Sequence, residues 1–259
     1  MGNYQDHKMQ SLSSKGNGNH SYIDNITEAK KVLVNEFGGT LFTVAKDVKV
    51  QIEFNPAYVG SYRLLGYENR MLTKEDFNDD KKDAGEVGSG HTVTAIYEII
   101  PSGVDSEFAA SVSEADLSKS RSAKQGQKNG SLAYIKCRYK QPDGKKSTKF
   151  DSPISSKVQE METLDDDVRF SIAVAEFGLN IGQSSYLKSK NLSDCISRAM
   201  SSQGEDKNGY RGEFIQLVKS VKDKGLVSGS WDFLDGGSGL MPHGSQLVDT
   251  KDIQNLPVK

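Results

Sequence analysis

Hydrophobic and polar residues alternate strictly from Asp47 to Phe54. Val48, Val50, Ile52 and Phe54 point one way, and Lys49, Gln51 and Glu53 the other. That period of two predicts a half-buried antiparallel strand, which Asn55-Pro56 would end. Tyr58–Tyr67 reads as a second, less regular strand. His91–Ile100 reads as a third, with Val93, Ala95, Tyr97 and Ile99 on one face. Leu132–Tyr139 and Lys145–Phe150 flank the turn Gln141-Pro142-Asp143-Gly144 and predict a hairpin, with Ala133, Ile135, Cys137 and Tyr139 inward.

Helical spacing governs the two ends of the chain. Gln5–Ser14 predicts a short helix. Ser21–Asp24 reads as a short strand. Asn25 is placed to cap a helix running to about Ala45, with Glu28 three residues on and Gly38-Gly39 weakening its middle. Asp165, Asp166 and Asp167 set negative charge at the start of Val168–Ile181, which is apolar almost all round and is expected to be buried. Leu192–Met200, with Asn191 as cap, and Tyr210–Val221, closed by Lys222, Lys224 and Gly225, predict two more helices. Val104–Ser131 has no sustained period and reads as a long loop. Trp231 and Phe233 are the residues of the tail that would pack back.

The pattern defines an α+β chain: an antiparallel β sandwich or barrel-like domain over 47–151 with its long loop at 101–131, a helical cap over 152–225, a βα segment over 1–46, and a loosely structured tail over 226–259. Composition keeps this within the globular range. The 259 residues are 35% hydrophobic and 26% charged, with a formal net charge of -2. Mean hydropathy is -0.58, and no apolar run reaches the length of a membrane span. No direct membrane insertion is therefore expected. No apolar leader follows Gly2, so either the fold starts at once or the chain is a piece of something longer. Cys137 and Cys195 are too few for a disulfide framework and read as small buried hydrophobes.

Candidate chemistry is sparse. The loop Glu75–Glu86 carries Glu75, Asp76, Asn78, Asp79, Asp80, Asp83 and Glu86. Asp76, Asn78 and Asp80 alternate as calcium ligands do in an EF-hand loop, and Asp83 and Glu86 complete the set of metal candidates. The match then fails: Lys81 stands where glycine is needed and Val87 where the bidentate glutamate is needed. Calcium is the one cofactor such a loop suggests, and a calcium-dependent adhesion module using residues 75–86 is the alternative function; turn-forming structure is the better reading. From Lys119 to Lys149 there are ten Lys or Arg against one acid, Asp143. That stretch is an alternative site for anions or nucleic acid, but with only Tyr134 and Tyr139 as aromatics no nucleic acid is expected, and the acidic loop can neutralise it internally. His7, His20, His91 and His243 have no metal-ligand spacing. No catalytic motif occurs, so no catalytic residue is assigned and a non-enzyme is expected.

Several long segments occur in the order of one family. DVKVQIEFNP (Asp47–Pro56), YRLLGYENR (Tyr62–Arg70), DFNDDKKDAGE (Asp76–Glu86) and GHTVTAIYE (Gly90–Glu98) resemble the region that follows the von Willebrand factor type A (VWA) domain in bacterial VWA proteins. GNYQDHKM (Gly2–Met9) and GNGNHSYIDNITEAKKVL (Gly16–Leu33) resemble the last two βα units of the VWA domain itself. RFSIAVAEFGL (Arg169–Leu179) and GYRGEFIQLV (Gly209–Val218) resemble the helices that close the family's C-terminal region. The resemblance implies a C-terminal portion of an envelope or extracellular protein of a family with secreted and lipid-anchored members, with a doubly wound α/β VWA remnant at 1–46 and a role in binding a protein partner or in scaffolding. Asp116-Leu117-Ser118-Lys119-Ser120 reads as the D-x-S-x-S of a VWA metal site, but it lies in a serine-rich loop rather than after a buried strand, and is read as chance.

Overall fold

The computed structural model describes residues 5–16, 18–67, 72, 74–106, 130–187 and 191–227. Three predicted features lie outside them: the D-x-S-x-S stretch, the packing of Trp231 and Phe233, and the basic residues from Lys119 to Lys128.

Among the described residues, six strands form two antiparallel sheets. Strands β1 (Thr43–Phe54), β3 (Gly85–Gly88), β5 (Ser131–Lys140) and β6 (Ser147–Ser155) make a four-stranded sheet in the order β3-β1-β5-β6. Strands β2 (Val59–Leu65) and β4 (Ile96–Pro101) pair only with each other. The barrel-like expectation is therefore corrected: β2 and β4 leave the main sheet, and its edges do not meet. The small sheet is clamped on the end of β1, where the Phe54 ring lies 4.3 Å from Tyr62 and 5.5 Å from Tyr97. Burial in that cluster pushes the Tyr97 hydroxyl up to about 12.

Strand boundaries moved for local reasons. β1 begins at Thr43 rather than Asp47, and its register slips between Ala45 and Val48. Asp47 sits at that bulge with φ 50°, a left-handed conformation that Asp tolerates better than most residues. β3 emerges from the end of the acidic loop, where no strand was expected. The third predicted strand starts only at Ile96; residues 91–95 are irregular and exposed. The expected strand at Ser21–Asp24 does not form. The β5–β6 hairpin forms about the predicted turn, with Gly144 N–H donating to the Gln141 carbonyl at 2.9 Å, but β6 runs from Ser147 to Ser155 where Lys145–Phe150 was expected.

At the N-terminus, α1 (Asp6–Lys15) matches its expected span. The predicted 25–45 helix breaks into α2 (Ile26–Lys30), a π turn (Lys31–Asn35) and α3 (Phe37–Leu41). The Asn25 side chain caps it by accepting from Glu28 N–H at 2.8 Å. Gly38-Gly39 does more than weaken the helix. α3 crosses β3 so closely that a Cβ on Gly88 would fall 1.6 Å from the Gly39 oxygen. No side chain fits on Gly88 at that crossing.

After α4 (Lys74–Asn78), the C-terminal helices α5 (Asp166–Ile181), α6 (Leu192–Ser201) and α7 (Tyr210–Asp223) build their own core. Ala173, Cys195, Ala199, Ile215 and Val218 are sealed within it. Phe214 packs edge-on to Phe170 at 5.4 Å and to Phe177 at 5.5 Å. The Cys195 thiol donates to the Ala173 carbonyl at 3.2 Å, and burial raises it to about 11. Cys137, by contrast, is only half-buried. The expectation that the first of these helices is fully buried is also corrected. Val168 is 46% and Val174 43% exposed, because α6 and α7 cover α5 on one side only. Among the described residues, polar contacts from Arg63 and from the Lys31–Asn35 turn tie this helical unit to the rest. Arg63 stacks 3.9 Å over the Tyr186 ring, and Asn35 Nδ2 donates to the Tyr210 hydroxyl at 2.5 Å.

Ile215→Ala should cost about 2–5 kcal/mol of stability, whereas Val168→Ala should stay within about 0.5 kcal/mol. Urea unfolding midpoints of the two variants measure the difference. Equal losses would mean that α5 is covered on both sides.

Candidate functional site

The alternating face of β1 that was expected to meet water is the more buried one. Lys49 is 1% and Gln51 3% exposed, while Val48, Val50, Ile52 and Phe54 are half-buried. Pairing places Lys49 opposite Arg138 of β5 and Gln51 opposite Lys136. The acidic loop, with α4 inside it, lies across this polar face. Leu72, Phe77 and Ala84, each about 5% exposed or less, are its apolar pegs.

Three cations hold the loop down. Lys49 Nζ donates to the carbonyl oxygens of Asp76 at 2.9 Å and Asp79 at 2.6 Å. Arg138, 4% exposed, donates from Nη1 to the Phe77 carbonyl at 2.8 Å, from Nε to Ser147 Oγ at 2.6 Å, and from Nη2 to Asp80 Oδ1 at 2.5 Å. Lys140 Nζ bridges the Asp80 carbonyl and Asp47 Oδ2, each at 2.7 Å. The carbonyls of Asp76 and Phe77 belong to the last turn of α4, where helix carbonyls lack partners and cations are favoured. The bulge at Asp47 gives that carboxylate its aim: Oδ1 accepts the Ala84 N–H at 3.1 Å while Oδ2 takes Lys140.

Charge states follow from these contacts. The Ser147 hydroxyl and the Arg138 guanidinium hold Asp80 below the ordinary carboxylate value. Burial pushes Asp47 up, but hydrogen bonds from Lys140 and Ala84 outweigh it and leave it below 3.8. Burial, together with repulsion from Arg138, draws Lys49 below its ordinary 10.5.

The metal candidates are dispersed by this arrangement. Asp80 turns to Arg138 and Ser147. Asp76 Oδ1 faces Lys82 at 3.6 Å, and Glu86 accepts from the Thr43 hydroxyl at 3.3 Å. Asp79 accepts the Lys81 N–H at 2.8 Å. Asn78 and Asp83 are exposed, and the Glu75 side chain lies outside the described residues. Among the described residues no three His, Cys, Asp or Glu side chains are grouped to hold a metal ion. The oxygens that do converge are backbone carbonyls, and they converge on ammonium and guanidinium groups. Of the basic stretch, Lys136 pairs with Glu53, and Arg138 and Lys140 with the loop. Half of its described cations are thus neutralised internally.

One arrangement had no sequence signal. His20 lies between Ser13 Oγ and Asp6 Oδ1, at 3.3 Å from each. The Ser13 hydroxyl also lies 3.0 Å from the Gln10 carbonyl, an acceptor that competes with the imidazole for its one proton. Asp6 is half exposed. The trio folds residues 18–20 back on α1.

A lidded antiparallel sheet followed by a three-helix unit defines a module of mixed α+β class. The family model described as "Uncharacterized protein YfbK, C-terminal" matches residues 39–223, and the chain belongs to that family. It is similar to the protein described as "Uncharacterized protein YfbK" of Escherichia coli (strain K12), with 40% identity over 217 residues. That match covers 84% of this chain and 36% of the relative, so the chain spans about a third of the relative's length. Among solved structures, residues 1-211 of CG17282 match over 72% of this chain and 82% of that one. At 9% identity and a TM-score of 0.24 this likeness carries no argument.

Lys49→Met removes the donor shared by the Asp76 and Asp79 carbonyls. It should lower stability by about 1–3 kcal/mol and speed proteolysis within residues 75–82; an unchanged urea midpoint and cleavage rate would show that the lid does not depend on Lys49. Asp47 sits below its ordinary value when folded, so its contribution is complete above about 3.8 and is lost as pH falls through its folded value. Asp47→Asn should therefore flatten the acid limb of melting temperature against pH. Parallel acid limbs in the two proteins would contradict this.

Proposed function

We propose that this chain is a non-catalytic protein–protein interaction or scaffolding module of a VWA-type cell-envelope protein, and that residues 1–46 are the end of the doubly wound VWA fold. One observation carries the reading. Large apolar side chains are exposed in succession just before and at the start of the family match: Ile26 84%, Leu33 59%, Val34 66%, Phe37 51%, Leu41 57% and Phe42 67%. An apolar run of this kind marks a surface that another protein surface covers. The family match begins at residue 39, so the run straddles its N-terminal boundary, where an α/β sheet would supply the missing cover. Placement in the envelope and the absence of catalysis are parts of the same proposal. No helix among the described residues is long and apolar enough to cross a membrane.

The probe is the part of the E. coli relative outside the matched segment. Isothermal titration should show it binding this chain, and Leu33→Asp with Phe37→Asp should weaken binding at least about tenfold, or about 1.4 kcal/mol. Absence of binding by the unmodified chain, or binding unchanged in the double variant, overturns the reading.

A further inference from the structure

We infer that β6 is a self-association edge, on which a second copy of this chain adds antiparallel about a two-fold axis through Phe150. The inference stands apart from the apolar surface at 26–42 and concerns a different partner. β6 is the outer strand of the four-stranded sheet and pairs only with β5 among the described residues.

The direction of its free backbone groups can be worked out. Asn55 N–H donates to the Leu132 carbonyl at 2.8 Å, so Leu132 and every second residue after it turn their backbone toward β1. Ala133, Ile135, Cys137 and Tyr139 then turn theirs toward β6. Their partners there are Ile154, Ser152, Phe150 and Thr148. The backbone N–H and C=O groups of Ser147, Lys149 and Asp151, and the carbonyl of Pro153, therefore face outward. Pro153 fits this assignment, because its missing N–H falls on the side with no strand to receive one.

Charge selects the partner and the register. Lys49, Arg138 and Lys149 lie in one row across three strands, all cationic; Lys136 and Asp151 lie in the next. Lys149 and Asp151 are exposed and take part in no ion pair among the described residues. A second β6 set antiparallel with Phe150 opposite Phe150 puts Lys149 opposite Asp151 of the copy, and Asp151 opposite its Lys149. Those two residues then also exchange backbone hydrogen bonds, since both present outward groups. Ser147 N–H meets the Pro153 carbonyl opposite it. The two Phe150 rings, each 54% exposed and each edge-on to its own Tyr139 at 6.4 Å, meet in the closer, non-hydrogen-bonded type of pair. A two-fold contact must be self-complementary in this way, and the sequence Lys149-Phe150-Asp151 is.

Sedimentation equilibrium of the full chain, from micromolar to near-millimolar concentration, tests the inference. The expected result is a monomer–dimer equilibrium. Lys149→Glu and Asp151→Lys should each weaken it at least about tenfold, while the Lys149→Glu/Asp151→Lys double exchange should restore it. The two single variants mixed should form a heterodimer, since each then faces opposite charges. Circular dichroism checks that the variants fold. A chain that stays monomeric throughout overturns the inference. So does a dimer indifferent to the single substitutions, or one that the double exchange fails to restore.

Discussion

Burying Lys49 and Arg138 is the constraint on which the β part of this molecule depends. A cation taken out of water needs a full set of acceptors, and on this face the sheet itself supplies only the Ser147 hydroxyl, which takes one N–H of Arg138. The other acceptors come from the loop between β2 and β3. It lays the carbonyls of Asp76, Phe77, Asp79 and Asp80 over the cations and adds the Asp80 carboxylate. The bulge at Asp47, the short helix α4 and the position of β3 at the sheet edge all follow from seating that loop. Removing a donor strands carbonyls; removing the lid strands charges. Each half fixes the other.

The same arrangement explains why an acid-rich loop is not by its composition a metal site. Calcium needs several oxygens turned to one point. Here the oxygens turned inward are already taken by nitrogen-borne charge, and the carboxylates are spread over Arg138, Lys82, Thr43 and the loop's own backbone. Internal lysine and arginine gather the loop carbonyls as a bound cation does elsewhere.

The helical unit follows separate rules. Its core is apolar and locally connected. Its described links to the rest of the chain are polar: Arg63 of β2 on Tyr186 and Ser184, Lys31 and Asn35 on Tyr210. The two surfaces proposed for partners differ in chemistry. The run from Ile26 to Phe42 is broadly apolar and suits an extensive cover. The edge of β6 is a strand-length strip of hydrogen-bonding groups and paired charges, suited to a second edge of the same kind.

Local periodicity determined most of the elements. Alternation located β1, the 141–144 turn gave the hairpin, and the caps Asn25 and Asn191 marked helix starts. It also placed Lys49 and Val50 on opposite faces of β1. It could not say which face would be covered, because a period of two records alternation and not the neighbour. Only the tertiary fold, by bringing residues 72–84 across the sheet, made the polar face the more buried one and left the apolar face half open. For the same reason Lys49, Arg138 and Lys140 read as an ordinary solvated charge pattern along the chain. Their partners lie roughly thirty to ninety residues away in sequence, and long-range pairing of that kind leaves no mark in local spacing.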